Sequence, residues 1–243
     1  MKQIYKMVKQ KLCNALFFMF TLTISIYGQN PVNGYDSHDK RHGIWKKTYN
    51  NTNQLRYEGQ FFHGKETGLF KYYTLNNGKS VLSATKLFNE NNNLADVKFF
   101  ASTGKLISEG RMDGRKYIGE WTFYHNKSDA LLTREYYNAD GNLEGKKTIY
   151  YPNGQIAETS HFKDGKLEGK NLIYSENGTL LKSFTYQNDE LHGKAKYFDA
   201  TGNIKGEGIY QHDRKHGIWN YYENGKLVET KDHTRRSKNP VKN

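Results

Sequence analysis

Two short segments bring histidine, aspartate and basic residues together in the same order. His38-Asp39-Lys40-Arg41-His42-Gly43-Ile44-Trp45 is closely matched by His212-Asp213-Arg214-Lys215-His216-Gly217-Ile218-Trp219. Imidazole and carboxylate are suitable ligands for zinc and other divalent ions. Each segment offers two imidazoles and one carboxylate, whereas a closed structural zinc site takes four ligands. At the equivalent places elsewhere the chain puts Gly or Asn in the turn and Glu or Thr before the glycine. The segments therefore read as two copies of a turn, and neither metal nor cofactor is expected. No G-x-S-x-G, H-E-x-x-H, phosphate-binding glycine loop or dinucleotide fingerprint occurs in the sequence, so no enzymatic activity is expected either.

A second set of residues suits binding. Tyr73, Phe100, Tyr124, Tyr150, Tyr174, Phe198 and Tyr222 recur at one position of a repeating unit, each preceded by another apolar or aromatic residue. Neighbours along a strand point to opposite faces, so both faces of such a sheet would carry aromatic ladders. Cross-strand ring pairs also stabilise a thin sheet by themselves. The seven residues are thus candidate binding positions with a structural role close at hand.

The elements that position them come from a repeat. Glycines recur at 43, 68, 119, 145, 169, 193 and 217, the last four at 24-residue spacing, and Ala95 holds the same register. A fixed period of this size marks a repeat array. Each unit reads as a strand with the aromatic pair, a turn such as Asn77-Gly78 or Asn153-Gly154, a strand of period two and a second turn such as His63-Gly64 or Asp164-Gly165. Asn-Gly between such runs is a strong hairpin signal because both residues accept positive φ. Leu180, Lys182, Phe184 and Tyr186 are expected on one face of their strand. Short successive turns give antiparallel neighbours. The expected fold is all-β: an elongated, single-layer antiparallel β-meander of about eight stacked hairpins and sixteen strands, preceded by a signal-peptide helix.

Residues 57–68, YEGQFFHGKETG, resemble the MORN repeat, Y-x-G-x-(W/F)-x-x-G-x-x-x-G, and YIGEW at 117–121 and residues 205–217 resemble it in part. Units such as GKKTIYYPNGQIAETSHFKDGKLEG are similar to the divergent bacterial MORN variant, often labelled a YwqK-type antitoxin. The resemblance covers about 43–230 and implies a curved sheet of stacked hairpins used for protein contacts, dimerisation or membrane-proximal placement.

Charge and cysteine narrow the setting. The net charge is +12, yet residues 1–28 hold four lysines without an acid, and the tail 231–243 holds five cations against Asp232. The body is left nearly balanced, unlike a nucleic-acid binder with its concentrated basic face. Lys2, Lys6, Lys9 and Lys11 precede an apolar run at Leu16–Ile26, and Gly28 precedes Gln29, the pattern of a signal peptide. Cys13 is the sole cysteine, so the mature chain would have no disulfide. The expected division is 1–28 signal peptide, 29–42 lead-in, 43–230 repeat array and 231–243 basic disordered tail. The expected role is an exported non-enzymatic scaffold, periplasmic, outer-surface or secreted, that contacts a protein partner or the cell-envelope surface. Membrane contact would come only through the signal peptide or tail, and sheet edges offer a route to a homo-oligomer. An antitoxin or immunity protein and a glycan-binding or envelope-polymer-acting protein are the alternatives.

Overall fold

A computed structural model describes residues 32–234. The expected signal peptide, Cys13 and most of the expected basic tail lie outside these residues. The strands run in chain order as β1 (Gly43–Thr48), β2 (Leu55–Phe62), β3 (Lys65–Asn76), β4 (Lys79–Phe88), β5 (Leu94–Phe100) and β6 (Leu106–Asp113). They continue as β7 (Lys116–Tyr124), β8 (Leu131–Tyr137), β9 (Gly145–Tyr150), β10 (Ile156–Lys163), β11 (Lys166–Leu167) and β12 (Gly169–Tyr174). The last are β13 (Leu180–Gln187), β14 (Glu190–Leu191), β15 (Gly193–Phe198), β16 (Ile204–Gln211), β17 (Arg214–Glu223) and β18 (Lys226–Asp232). There is no helix among the described residues. Two-residue β11 and β14 are the leading ends of β12 and β15, interrupted at Glu168 and His192, so the eighteen segments amount to the expected sixteen strands. Each pairs antiparallel with the next in sequence, giving one open meander.

The recurrent glycine lies inside the first strand of its unit. At Gly68 and Gly119 φ is +64° and +66°, and a Cβ there would meet nothing within 4 Å. Glycine is required by the left-handed backbone and not by space. The pairing slips at this point, as between Arg111 and Gly110 opposite Gly119. Ala95 is explained by the exception: β4 pairs with β5 without a slip, Ala95 has no positive φ, and its methyl is buried. YIGEW belongs to this strand too. Its Gly119 corresponds to Gly68, not to Gly59 of YEGQF.

A second irregularity recurs in all eight hairpins. Opposite the aromatic pair the second strand carries one extra residue, as at Ser83, Ile107, Leu181 and Val228. Such a bulge strengthens the local twist. It also breaks the expected alternation: Lys182, Phe184 and Tyr186 stay in phase, and Leu180 lies beyond the bulge. The turns divide as well. Asn77-Gly78 and Asn224-Gly225 have both residues at positive φ. At Asn153-Gly154 and Asn177-Gly178 only the glycine is left-handed, and its N–H closes a four-residue turn onto the carbonyl of Tyr151 or Ser175. That is the longer hairpin loop built on a type I turn.

The hydrophobic core lies on one face and is centred on one row of side chains, joined by Phe61, Met112 and Phe184 from the second strands. Two residues after each start position stand Trp45, Phe70, Val97, Trp121, Lys147, Asn171, Ala195 and Trp219. Opposite the rings on the intervening strands are glycines. Gly59, Gly110 and Gly208 lie under Phe70, Trp121 and Trp219, where an added Cβ would sit 2.4 Å from a ring atom. Trp121 and Trp219 are fully buried, and each indole N–H donates to a backbone carbonyl, of Arg111 (2.9 Å) and Ile209 (3.0 Å). A sheet with no second layer can bury a large ring only by laying it on a strand that offers no side chain.

Candidate functional site: the outward face and the lead-in clasp

The face opposite the buried row carries the first, third and fifth residues after each start position. The first of these is exposed in every unit: Ile44, Leu69, Asp96, Glu120, Lys146, Lys170, Lys194 and Ile218. The fifth is the candidate ladder, and all seven of Tyr73, Phe100, Tyr124, Tyr150, Tyr174, Phe198 and Tyr222 are half-buried. Three are held by carboxylates on the preceding strand: Tyr73 donates to Glu58 (2.7 Å), Tyr124 to Glu109 (2.6 Å) and Tyr222 to Glu207 (3.0 Å). A lysine on the far side completes each clamp, Lys46 with Glu58 (3.8 Å), Lys98 with Glu109 (2.9 Å) and Lys196 with Glu207 (3.0 Å). The hydrogen bond from Tyr124 and the Lys98 ammonium hold Glu109 below its usual range, and Lys196 and Tyr222 do the same for Glu207. Burial and the bond to Glu58 push Tyr73 up to about 12; the bond to Glu109 and burial do the same for Tyr124. The hydroxyls of Tyr150 and Tyr174 have no protein partner among the described residues.

Between the first clamps lies a groove of about 550 Å³ whose floor includes Leu69, Leu87 and Ile118. Leu69 and Leu87 face one another across β3 and β4, and each is 51% exposed. The rim is charged: Arg111 pairs with Asp96 at 2.9 Å, and Lys98 with Glu109 at 2.9 Å. An apolar centre inside a polar rim is the anatomy of a protein contact surface.

The buried face is interrupted in the middle of the array. Where the other units place an apolar side chain, β9 and β12 place Lys147 and Asn171, with Glu135 and Ser160 opposite. Lys147 pairs with Glu135 at 2.8 Å, and Tyr137 donates to the other Glu135 oxygen at 2.6 Å. Asn171 donates to Glu158 (2.6 Å) and to Ser160 (2.9 Å), and Ser160 to Glu158 (2.8 Å). Burial and the Glu135 bond raise the Tyr137 hydroxyl well above the usual range. Both Glu135 oxygens are committed to these bonds, which satisfy the polar groups a ring would otherwise displace.

The duplicated histidine segments are not assembled as their spelling suggests. His38 bonds to Ser37, and Asp39 lies in a turn at φ +57°. The structure instead gathers Asp36, His42 and His63, one ligand atom of each within 4.8 Å of the others. Asp36 Oδ2 is 2.6 Å from His63 Nδ1, and the His63 backbone N–H donates to His42 Nδ1 at 3.5 Å. The His63 bond holds the Asp36 carboxyl well below the usual carboxylate range. A related group recurs near the other end, with Glu190 2.6 Å from His212 Nδ1 and His192 at a ring separation of 5.3 Å. His42 and His192 both precede a start glycine, and His63 and His212 both sit in the turn that follows a second strand. Asp36 and His63 were not among the sequence candidates. The available signal was glutamate: Glu144 and Glu168, at the place of His42, accept the N–H of Asp164 and Asn188 in the corresponding turns.

The MORN repeat variant matches four tandem segments: 143–164, 167–188, 191–212 and 215–233. Each begins two residues before a start glycine, so this MORN run coincides with the 24-residue units of the second half. No curated protein matches the chain. The four units ahead of the MORN run, from Gly43 on, share its hairpin plan and its recurrent bulge.

Proposed function

We propose that the chain is an exported, non-enzymatic repeat scaffold that binds a protein partner on its outward face. The observation behind this reading is the groove at Leu69, Leu87 and Ile118, an apolar centre left open on a sheet whose own core faces the other way. The clamped tyrosines stiffen the strands beneath it, so a partner meets a surface with little to order. The signal-like N-terminus supports delivery to the periplasm, the outer surface or the medium. The outward ladder, especially Tyr150 and Tyr174, whose hydroxyls have no partner among the described residues, extends the surface beyond the groove.

The test is cross-linked capture by the full chain in its native cells, compared with L69K/L87K. Both positions are exposed, so the variant is expected to fold normally. One protein captured by the parent chain and lost from the variant supports the reading. Capture that is the same for both, or retention on envelope polymer alone, refutes it, the latter in favour of glycan binding. A captured toxin that the chain neutralises would make the scaffold an immunity protein. Fractionation of the same cells, with the N-terminus found at Gln29, checks export.

A further inference from the structure

The geometry points to a divalent transition-metal site of zinc type at Asp36, His42 and His63, clasping the lead-in to the first hairpin. The three donors come from three places in the chain: the turn of the lead-in, the residue before β1 and the turn after β2. Asp36 is preset for the role. Its Oδ1 accepts the N–H groups of His38 (2.8 Å) and Lys40 (3.0 Å), which leaves Oδ2 directed at His63. Its side chain is 7% exposed, while that of His63 is 52% exposed, so an ion has a route in and water can complete its shell. Phe62 orients both imidazoles, its ring 4.4 Å from that of His63 and 5.4 Å from that of His42. The turn is locked by the Gly64 N–H donating to Arg41 O at 2.8 Å.

Neighbouring cations do not fill the site. The Arg41 guanidinium lies over Phe61 at 4.4 Å on the buried face, and Lys65 donates to Glu90 O at 3.0 Å. Zinc bonds to imidazole and carboxylate are about 2.0–2.2 Å, so tetrahedral donors stand about 3.3 Å apart. The Asp36–His63 pair, now 2.6 Å apart, must open by less than about 1 Å as the ion replaces the hydrogen bond. Two imidazoles and one carboxylate with water in the fourth place is an established zinc donor set. The proposal concerns the first cluster alone, since at Glu190, His192 and His212 the imidazoles stand farther apart, 5.3 Å against 4.9 Å.

The full chain, stripped with chelator, is titrated with zinc chloride in a calorimeter. One ion per chain is expected in this cluster. D36N and H63A are each expected to weaken its binding at least about tenfold, the loss typical even of a residue that only supports a ligand. H216A, in the duplicated segment but outside the cluster, should bind as the parent does. Zinc should also slow hydrogen exchange at β1 and β2 in the parent and not in D36N, a readout that holds even if H63A folds poorly. Binding unchanged in both D36N and H63A overturns the site. So does binding lost only in H212A, or a dissociation constant weaker than about 1 mM.

Discussion

Replacing Gly110 with alanine should cost about 2–3 kcal/mol, and the cost should vanish when Trp121 is removed. A Cβ at Gly110 would lie 2.4 Å from Cδ2, 2.5 Å from Cε2 and 2.6 Å from Cγ of Trp121. Ordinary contact begins near 3.4 Å, so the ring or the strand must yield by about 1 Å. Near-equal distances to three ring atoms mean that the added carbon would sit on the face of the indole. The other face is taken by Tyr117, stacked at 3.7 Å with planes 12° apart. The ring therefore cannot recede without driving Tyr117 outward and stretching the 2.9 Å bond to the Arg111 carbonyl. Overpacking of this kind costs about 1–3 kcal/mol, and the strained hydrogen bond adds about 1 kcal/mol. Gly110 lies outside the left-handed region, so the restricted unfolded chain returns about 0.4–1 kcal/mol.

In the Trp121→Ala background the clash is gone and only that last gain survives, so Gly110→Ala should become mildly stabilising. Repeat arrays need not unfold as one unit. Urea titration should therefore be followed both by circular dichroism and by hydrogen exchange at β6 and β7. Gly206 is the control: a Cβ there meets Tyr221 at an ordinary 3.4 Å, and Gly206→Ala should be neutral or stabilising. Equal costs of Gly110→Ala with and without Trp121, or a cost below about 0.5 kcal/mol in the parent, would refute the account of the ring row.

Further outcomes follow from the two faces. Lys147→Met should destabilise the array by up to about 3 kcal/mol by stranding Glu135, while Lys147→Met with Glu135→Leu should recover most of the loss; urea midpoints decide. Native Tyr73 and Tyr124 titrate near 12 against about 10 for an unfolded tyrosine. The stability these two tyrosines contribute should thus be intact below pH 10 and be lost as pH rises from about 10 through 12, and Tyr73→Phe with Tyr124→Phe should lessen that alkaline loss in urea titrations; an equal loss in the double variant would contradict this. Glu109 and Glu207, held low by their clamps, should release stability only as pH falls below about 4, and Tyr124→Phe should lessen that acid loss. Small-angle scattering should give a radius of gyration well above the roughly 18 Å of a compact chain of this length.

The plan of the molecule was legible because its signals are local. The glycine period, the adjacent aromatic pair and the turn dipeptides fix the hairpins, their order and the two faces. The bulge opposite the aromatic pair was not legible, since Arg56, Ser83, Ile107 and Val228 share no property that marks an extra residue. It is set by pairing with the neighbouring strand. The turn at Asn153-Gly154 spells the same dipeptide as Asn77-Gly78 but closes differently, because the strands around it end at different lengths. The cluster at Asp36, His42 and His63 was hidden because the repeating spelling drew attention to His38 and Asp39. Its members meet only when a turn folds back beside the residue before β1.

The buried and outward rows are under different constraints, and that difference locates specificity. In the buried row a change is tolerated only with its cross-strand partner: Trp121 needs Gly110, Lys147 needs Glu135, and Asn171 needs Ser160. Such a row varies in matched pairs that satisfy the sheet itself. The outward row one residue earlier is exposed in all eight units, and its cross-strand partners, such as Arg111 for Asp96 and Arg134 for Glu120, are exposed ion pairs that contribute little to the fold. It runs in blocks: apolar at Ile44 and Leu69, acidic at Asp96 and Glu120, basic at Lys146, Lys170 and Lys194, and apolar again at Ile218. Successive units are two strands apart, about 10 Å, so the blocks of two and three units are sectors about 20–30 Å wide along the ribbon. A partner seated over Leu69 and Leu87 therefore also meets the acidic sector at Asp96 and Glu120. Reversing those two charges together should weaken capture while leaving the buried row, and hence the fold, intact. Loss of folding on that exchange would mean that the outward row is coupled to the core after all.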